Sequence, residues 1–347
     1  MLWAAGAALV LISGCKAPPG SEQTACDREC LRTMLDSYLA AVVAHDPSKA
    51  PLVTGFRQTE NAINVAPGRG TWQSVTALGK VQRKYFDPVT GQAGYYGTVM
   101  EGAETAIVTI RLRVENKALT EAEWYIARAN DPGLSGPRQP DRPPANLHNP
   151  EYLGQNPPPE RVVPVAERVD RATLVRIVDS YFDGITSHDR TVVLAHEGCG
   201  RAENGSPAPA GAFLPQPVRA TPPPGQPAPP QAPGAGAPGA QPGVGSRDCL
   251  AGLENFNLSL VAARRIPLVD EEAQIVLAYG VFIRRPGSPT PRNAASWWFV
   301  IDEGKIRTTY TAMFYPPPGL AVPNWPPYHG NWPLPATTVP EPAAPPR

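Results

Sequence analysis

Leu31, Leu35, Tyr38, Leu39 and Val42 fall at i, i+4, i+7, i+8 and i+11, a spacing that draws one apolar stripe along a helix. Leu174, Val178, Tyr181, Phe182 and Ile185 draw it a second time. Each stripe stops at a His-Asp pair, His45-Asp46 and His188-Asp189. Asp46 is placed to N-cap a second helix with Pro47 in its first turn, and Asp189 to do the same with Arg190 in place of the proline, which predicts a helical hairpin. Further on, Ala106, Val108, Ile110, Leu112 and Val114 alternate with Thr105, Thr109, Arg111 and Arg113, the period of two of a half-buried strand. Glu115-Asn116-Lys117 turns the chain, and Leu119 to Ala127 returns as the partner strand of an antiparallel hairpin. The second copy ends alike: Ala273 to Ile283 and Ser296 to Ile301 read as strands, Asp302-Glu303-Gly304-Lys305 as a turn, and Ile306 to Phe314 as the return. Helices first and an antiparallel meander after them is an α+β order.

The two patterns are one unit repeated. Leu31, Asp36, Ser37, Tyr38, His45, Asp46, Gly55, Glu60 and Asn61 recur at a constant offset of 143 as Leu174, Asp179, Ser180, Tyr181, His188, Asp189, Gly198, Glu203 and Asn204. Two copies in 347 residues leave each enough chain for its own core. The domain plan is a leader and tether over 1–25, a first domain over 26–130, a Pro-rich linker over 131–170, a second domain over 171–315 and a tail over 316–347. Composition locates the rest. Of 45 prolines, 13 lie between 207 and 242, where Arg219 is the one charged residue, so a disordered insertion is expected at about 206–246. The tail is also proline-rich but carries Trp325, Tyr328 and Trp332, and is expected to lie across a domain face.

Thirty-one Lys and Arg balance thirty-one Asp and Glu, so no net field draws in nucleic acid. Leu2 to Ile12 is apolar but too short to span a bilayer, as in the core of a signal peptide. Ile12-Ser13-Gly14-Cys15 resembles the lipobox of bacterial lipoproteins, which implies lipidation of Cys15, export to the cell envelope and attachment to a membrane through lipid. The resemblance departs in lacking Lys or Arg before the apolar run; Lys16 after the cysteine favours the periplasmic face of the outer membrane. Export makes disulfides plausible among the other four cysteines. Cys199 with Cys249 is the favoured pair, since both lie in the second unit and bracket its insertion; a Cys26–Cys30 bridge is feasible at a frayed first helical turn. No metal site is expected, because two thiols without nearby His or further Cys do not complete a shell. No Gly-rich phosphate loop or Gly-x-Ser-x-Gly elbow is present, so neither a nucleotide cofactor nor a nucleophile triad is expected.

The stripe with its tyrosine eight residues before an acidic cap, together with the terminal meander, resembles the nuclear-transport-factor-2-like superfamily, which includes ketosteroid isomerase and the SnoaL-like cyclases. Cys26-Asp27-Arg28-Glu29-Cys30-Leu31 and Glu203-Asn204-Gly205 also resemble segments of a poorly characterised group of fungal and bacterial exported proteins. The superfamily resemblance implies two cone-shaped domains, each a helical hairpin on a curved antiparallel sheet around an apolar pocket for a small hydrophobic or carbonyl-bearing molecule. It further implies a carboxylate base, Glu60 or Glu203, and a helix tyrosine, Tyr38 or Tyr181, that stabilises developing oxyanion charge. Asn61, Trp72, Trp124, Asn204, Trp297 and Tyr310 are expected to line the pocket, and Tyr125 and Trp298 are further aromatic candidates. Strand alternation turns half of the strand aromatics away.

Each candidate has a plainer reading: a tyrosine on an apolar stripe is a core residue with a satisfied hydroxyl, and an acid-amide pair can anchor a loop. His45 and His188, beside a cap, read as surface or capping groups. Two functions follow. One is an envelope-tethered, cofactor-independent isomerase, dehydratase or lyase that abstracts a proton. The other is a non-catalytic binding or scaffold lipoprotein whose pockets are closed by their own side chains. The insertion directly after Glu203 makes the first copy the place to expect an open pocket. Self-association is not specified by the sequence.

Overall fold

A computed structural model describes residues 26–134, 136, 147–207, 248–288 and 290–316. The leader, Cys15, nearly all of the insertion and the tail from residue 317 lie outside the described residues. The chain is α+β, with two six-stranded mixed sheets.

In the first unit α1 (Arg28–Val43) starts at Asp27, whose carboxylate accepts from the backbone N–H of Cys30, and buries the stripe Leu31, Leu35, Tyr38, Leu39 and Val42. Cys26 and Cys30 are joined across its first turn. The expected second helix is a single 3₁₀ turn, Pro47–Lys49, capped by Asp46. Pro51 explains the stop, since the residue before a proline is driven to extended geometry, and Ala50 sits at φ −101°, ψ 146°. The second copy also stops after one turn, at Arg190–Val192, where Thr191, Val192 and Val193 form a β-branched run poorly suited to helix.

Six strands follow: β1 (Leu52–Glu60), β2 (Ile63–Val65), then after the short α2 (Thr71–Ser74) β3 (Ala77–Asp87), β4 (Gln92–Glu101), β5 (Glu104–Glu115) and β6 (Ala118–Ala127). Their order is β2-β1-β6-β5-β4-β3, with β1 parallel to β6 and the other pairs antiparallel. A connector carrying α3 (Pro150–Gln155) leads to α4 (Arg171–Ser187) and the second sheet: β7 (Ala195–Glu203), β8 (Ser206–Pro207), β9 (Leu258–Asp270), β10 (Ile275–Arg284), β11 (Arg292–Asp302) and β12 (Lys305–Phe314), in the corresponding order. The one parallel pair makes each sheet mixed rather than purely antiparallel. Asn61 and Asn204 hold that pair: each has positive φ, and each side chain bonds both the N–H and the C=O of one residue on the last strand, Ile126 or Met313.

One face of each sheet packs on its helix, and the other faces meet each other. Tyr85, Tyr96, Tyr125, Leu268, Tyr279 and Trp298 belong to this shared core. Its fastenings come in pairs related by an approximate two-fold axis. Arg28 at the start of α1 bonds both oxygens of Asp270 at 2.9 Å, and Asp270 also accepts from the N–H of Phe86. Arg171 at the start of α4 bonds both oxygens of Asp87 at 2.9 and 2.6 Å, and Asp87 accepts from the N–H of Val269. On the axis Ser296 donates to Thr109 at 2.8 Å. Gly94 is required nearby, because a Cβ there would enter the ring of Trp298 and the side chain of Leu268. The two halves are not identical: Glu123 bridges Arg111 and Arg265 on one side only.

The segment read as a linker is ordered over 147–170. Its prolines supply backbone acceptors: Pro157 to Tyr310, Pro158 to Arg83 and Pro159 to Tyr85. Leu153 is fully buried, and Arg161 bonds Asp302 and the carbonyls of Ala273 and Ile301.

Asp87→Asn and Asp270→Asn each leave an arginine facing a neutral amide, and each is expected to lower unfolding free energy by about 1.5–3 kcal/mol, the range for bonds to charged groups. Urea titration followed separately by tryptophan fluorescence and far-ultraviolet dichroism checks this. A loss confined to one probe would mean the units unfold independently.

Candidate functional site

The concave face of the first sheet is closed by the protein's own side chains. Trp124 Nε1 donates to the Tyr38 hydroxyl at 2.8 Å, and Tyr38 in turn donates to Gln58 Oε1 at 2.8 Å. Trp72 Nε1 donates to that same oxygen at 2.8 Å. Gln58 Nε2 donates to Glu60 at 3.0 Å and to Thr71 Oγ1 at 3.1 Å. Glu60 Oε1 also accepts from the backbone N–H and the hydroxyl of Thr71, both at 2.7 Å. The network is complete. Glu60 holds the start of α2 against β1, and Tyr38 is a core tyrosine whose hydroxyl both accepts and donates. Trp72 and Trp124 are buried and the Tyr38 hydroxyl is bonded on both sides, so this copy, where an open pocket was expected, has a filled interior, with the half-buried Glu60 anchored through Oε1.

The second unit keeps the frame and fills its interior differently, with Leu250, Leu253 and Phe256 buried in it. Tyr181 stands where Tyr38 does, Arg201 replaces Gln58, and Glu203 replaces Glu60. The residues over them have changed as well. His45 Nδ1 lies 2.6 Å from the Trp72 carbonyl and His188 Nδ1 lies 3.3 Å from that of Leu253, which sets Leu253 in the place of Trp72. Leu253 brings no indole N–H, and Tyr181 has Arg201 and the Thr309 hydroxyl as its hydrogen-bonding neighbours instead. The histidines are thereby explained as residues in left-handed backbone whose rings lie against backbone carbonyls.

Glu203 is 3 % exposed, and its ion contact is Arg201 Nε at 3.4 Å. Burial pushes its carboxyl above the usual glutamate range, against the opposing charges of Arg201 and, more weakly, Arg284. Arg201 lies 5.3 Å from the centre of the Phe256 ring. Its charge is held chiefly by Glu203 against the cost of burial. Tyr181 is buried beside Arg201 and Thr309, and burial raises its hydroxyl. Arg284, Asn293 and Tyr315 complete the polar set on this concave face. Sequence reasoning passed over Arg201 and Arg284, although a charged residue in the inward register of a strand is the signal that finds them: Arg201 alternates with Cys199 and Glu203, and Arg284 with Phe282.

Cys199 and Cys249 are joined, which ties the residues after the insertion to β7 two positions before Arg201. The bridge closes a separation of 50 residues, for which the unfolded-chain entropy removed is worth about 2–4 kcal/mol. Asp248 lies with the two sulfurs within 4.8 Å, but both sulfurs are spent on the disulfide rather than offered as thiolates.

The other expected pocket residues separate. Trp297 is on the concave face against Phe182, at 5.2 Å between ring centres. Tyr310 is not: it faces the other unit, 6.0 Å from Tyr96, with its hydroxyl on Pro157. Tyr125 and Trp298 lie in the same shared core. Strand alternation is the reason, since Tyr310 falls between the inward Thr309 and Thr311 of the β12 register shifted at its bulge. Asn61 and Asn204 bind backbone rather than space.

A family model described as a domain of unknown function, DUF8021, matches residues 167–313, which run from the end of the connector to the end of β12 and so cover the second unit. No curated protein matches the chain.

A carboxyl raised by folding stabilises the fold while protonated, and that contribution is lost as pH climbs from its ordinary 4.5 through the raised value. Glu203→Gln removes the titration. The unfolding free energy of the wild type minus that of the variant is therefore expected to fall with rising pH above 4.5, in urea titrations at stepped pH. A difference flat in pH would deny that Glu203 is held in this state.

Proposed function

We propose that the chain is a small-molecule pocket protein in which the second unit receives the ligand and the first is its rigid companion. The observation that carries this is the exchange of Trp72 for Leu253 and of Gln58 for Arg201, which takes the indole N–H out of the second interior and sets a buried guanidinium beside Glu203. What remains is a buried acid beside two buried guanidinium groups and a tyrosine, polar groups converging inside an apolar shell, the usual make-up of a ligand site. The filled interior of the first unit favours a scaffold role for that copy. Both units are taken as nuclear-transport-factor-2-like cones, on the strength of a helix lying across a six-stranded sheet in each. The lipobox-like Cys15 and the two disulfides support an exported, lipid-anchored protein of the cell envelope.

The raised carboxyl of Glu203 favours a second reading at the same site: cofactor-independent proton abstraction from a carbonyl compound, with Tyr181 beside the acid. The base takes a proton from the carbon next to the carbonyl; an isomerase returns it to another carbon of the enolate, whereas a lyase breaks the bond from the β-carbon to a leaving group, which departs with the electron pair.

Exchange of α-protons for deuterium in small cyclic ketones, followed by NMR in D₂O, separates the readings. For an enzyme, exchange above buffer is expected to fall by about 10²–10⁴ in Glu203→Gln and to be unchanged in Glu60→Gln. Saturable binding of the ketone without exchange leaves the pocket protein. Failure of every probe to bind the second unit would sink both.

A further inference from the structure

The least compensated charge among the described residues of the second interior is Arg284. It is 5 % exposed, its Nη1 donates to the Thr290 carbonyl at 3.4 Å, its side-chain neighbour is the neutral Tyr315 hydroxyl, and its Nη2 has no hydrogen-bond partner among the described residues. The guanidinium lies 5.7 Å from the centre of the Tyr315 ring. A guanidinium does not shed its proton in a protein, so burial leaves it needing an anion.

The first unit shows what ordinarily stands at this end of the sheet. Glu101 and Arg284 are the last residues of β4 and β10, and Arg128 and Tyr315 are the first residues after β6 and β12. Glu101 and Arg128 form a two-bonded ion pair, at 2.6 and 2.8 Å, with Ser74 as a further donor at 2.5 Å. In the second unit a cation occupies the acid's place and a phenol the cation's, so the carboxylate of the pair is missing. Around it the polar groups are under-used. Asn293 is fully buried; among the described residues its Oδ1 has no hydrogen-bond partner and its Nδ2 has the Met313 sulfur at 3.8 Å. The Tyr315 hydroxyl turns to that same sulfur at 3.7 Å. Glu203 is the anion on the same face, and it is engaged with Arg201.

We propose that the ligand of the second unit carries a carboxylate, received by Arg284 with the Asn293 amide and the Tyr315 hydroxyl as its further hydrogen-bonding groups. This rests on the preceding assignment of the second unit as the ligand-bearing copy, and it names the class of ligand. A dianion such as phosphate is a poorer match, since one guanidinium balances one charge and Glu203 on the same face repels the second.

Benzoate and benzamide, equal in shape and different in charge, test the assignment in calorimetric titrations of the full chain at one pH and ionic strength. The expected result is at least tenfold tighter binding of benzoate by the wild type, a preference abolished in Arg284→Met and weakened in Tyr315→Phe. The wild-type comparison needs no substitution and so stands even if Arg284→Met fails to fold. Equal binding of the two probes, or a benzoate preference that survives Arg284→Met, overturns the carboxylate assignment and leaves the site in place. Binding of neither overturns both.

Discussion

Two buried carboxylates, Asp87 and Asp270, hold this chain in its shape. Each sits at the end of one unit's strand and is satisfied by the other unit: an arginine from the opposite helix start and a backbone N–H from the opposite sheet. Thr90 and Ala273 give each carboxylate bonds within its own unit, but the arginine and the cross-sheet N–H arrive when the sheets are face to face, which couples the orientation of both helices to the meeting of both sheets. Gly94 beneath Trp298 and the connector prolines at the rim follow from that closeness. So does the burial of Tyr96, Tyr125 and Tyr279, which a lone sheet would leave to water.

Much of this was legible in the chain. The recurrent stripe locates both long helices, period-two alternation locates β5 and β6, and the turns fall where Asn116, Lys117, Glu303 and Gly304 take positive φ. The cysteine pairs follow from their neighbourhood. Local pattern over-reached at Asp46, where a good cap begins a helix that Pro51 forbids. It under-reached in the connector, since proline content reports the absence of donors and says nothing about carbonyls that Arg83, Tyr85 and Tyr310 can use. The parallel pairing of β1 with β6 joins residues far apart in sequence and has no local signature. Which face of an aromatic-rich strand meets the helix and which meets the other unit is likewise a tertiary fact, and it moved Tyr310 out of the interior.

The candidate site was half legible. Glu203 and Tyr181 were found by their recurrence, but recurrence alone treats the copies as equals. The difference lies in residues that do not repeat: Leu253 for Trp72, Arg201 for Gln58, Arg284 for Glu101. Identity between copies marks what the frame requires, such as Asn61 and Asn204 clamping the last strand. Departure marks where the frame has been released. In the first interior Gln58 and Glu60 are joined through neutral donors; in the second the same positions hold a buried ion pair, Arg201 with Glu203.

The approximate two-fold axis through Thr109 and Ser296 carries one more consequence. Two separate chains meeting in this way would have to carry every substitution twice, so a buried charge introduced for a ligand would also burden the copy that braces it. Joining the copies in one polypeptide breaks that symmetry of inheritance. Each half can then drift under its own demands, and the packing of one can offset the cost of buried polar groups in the other.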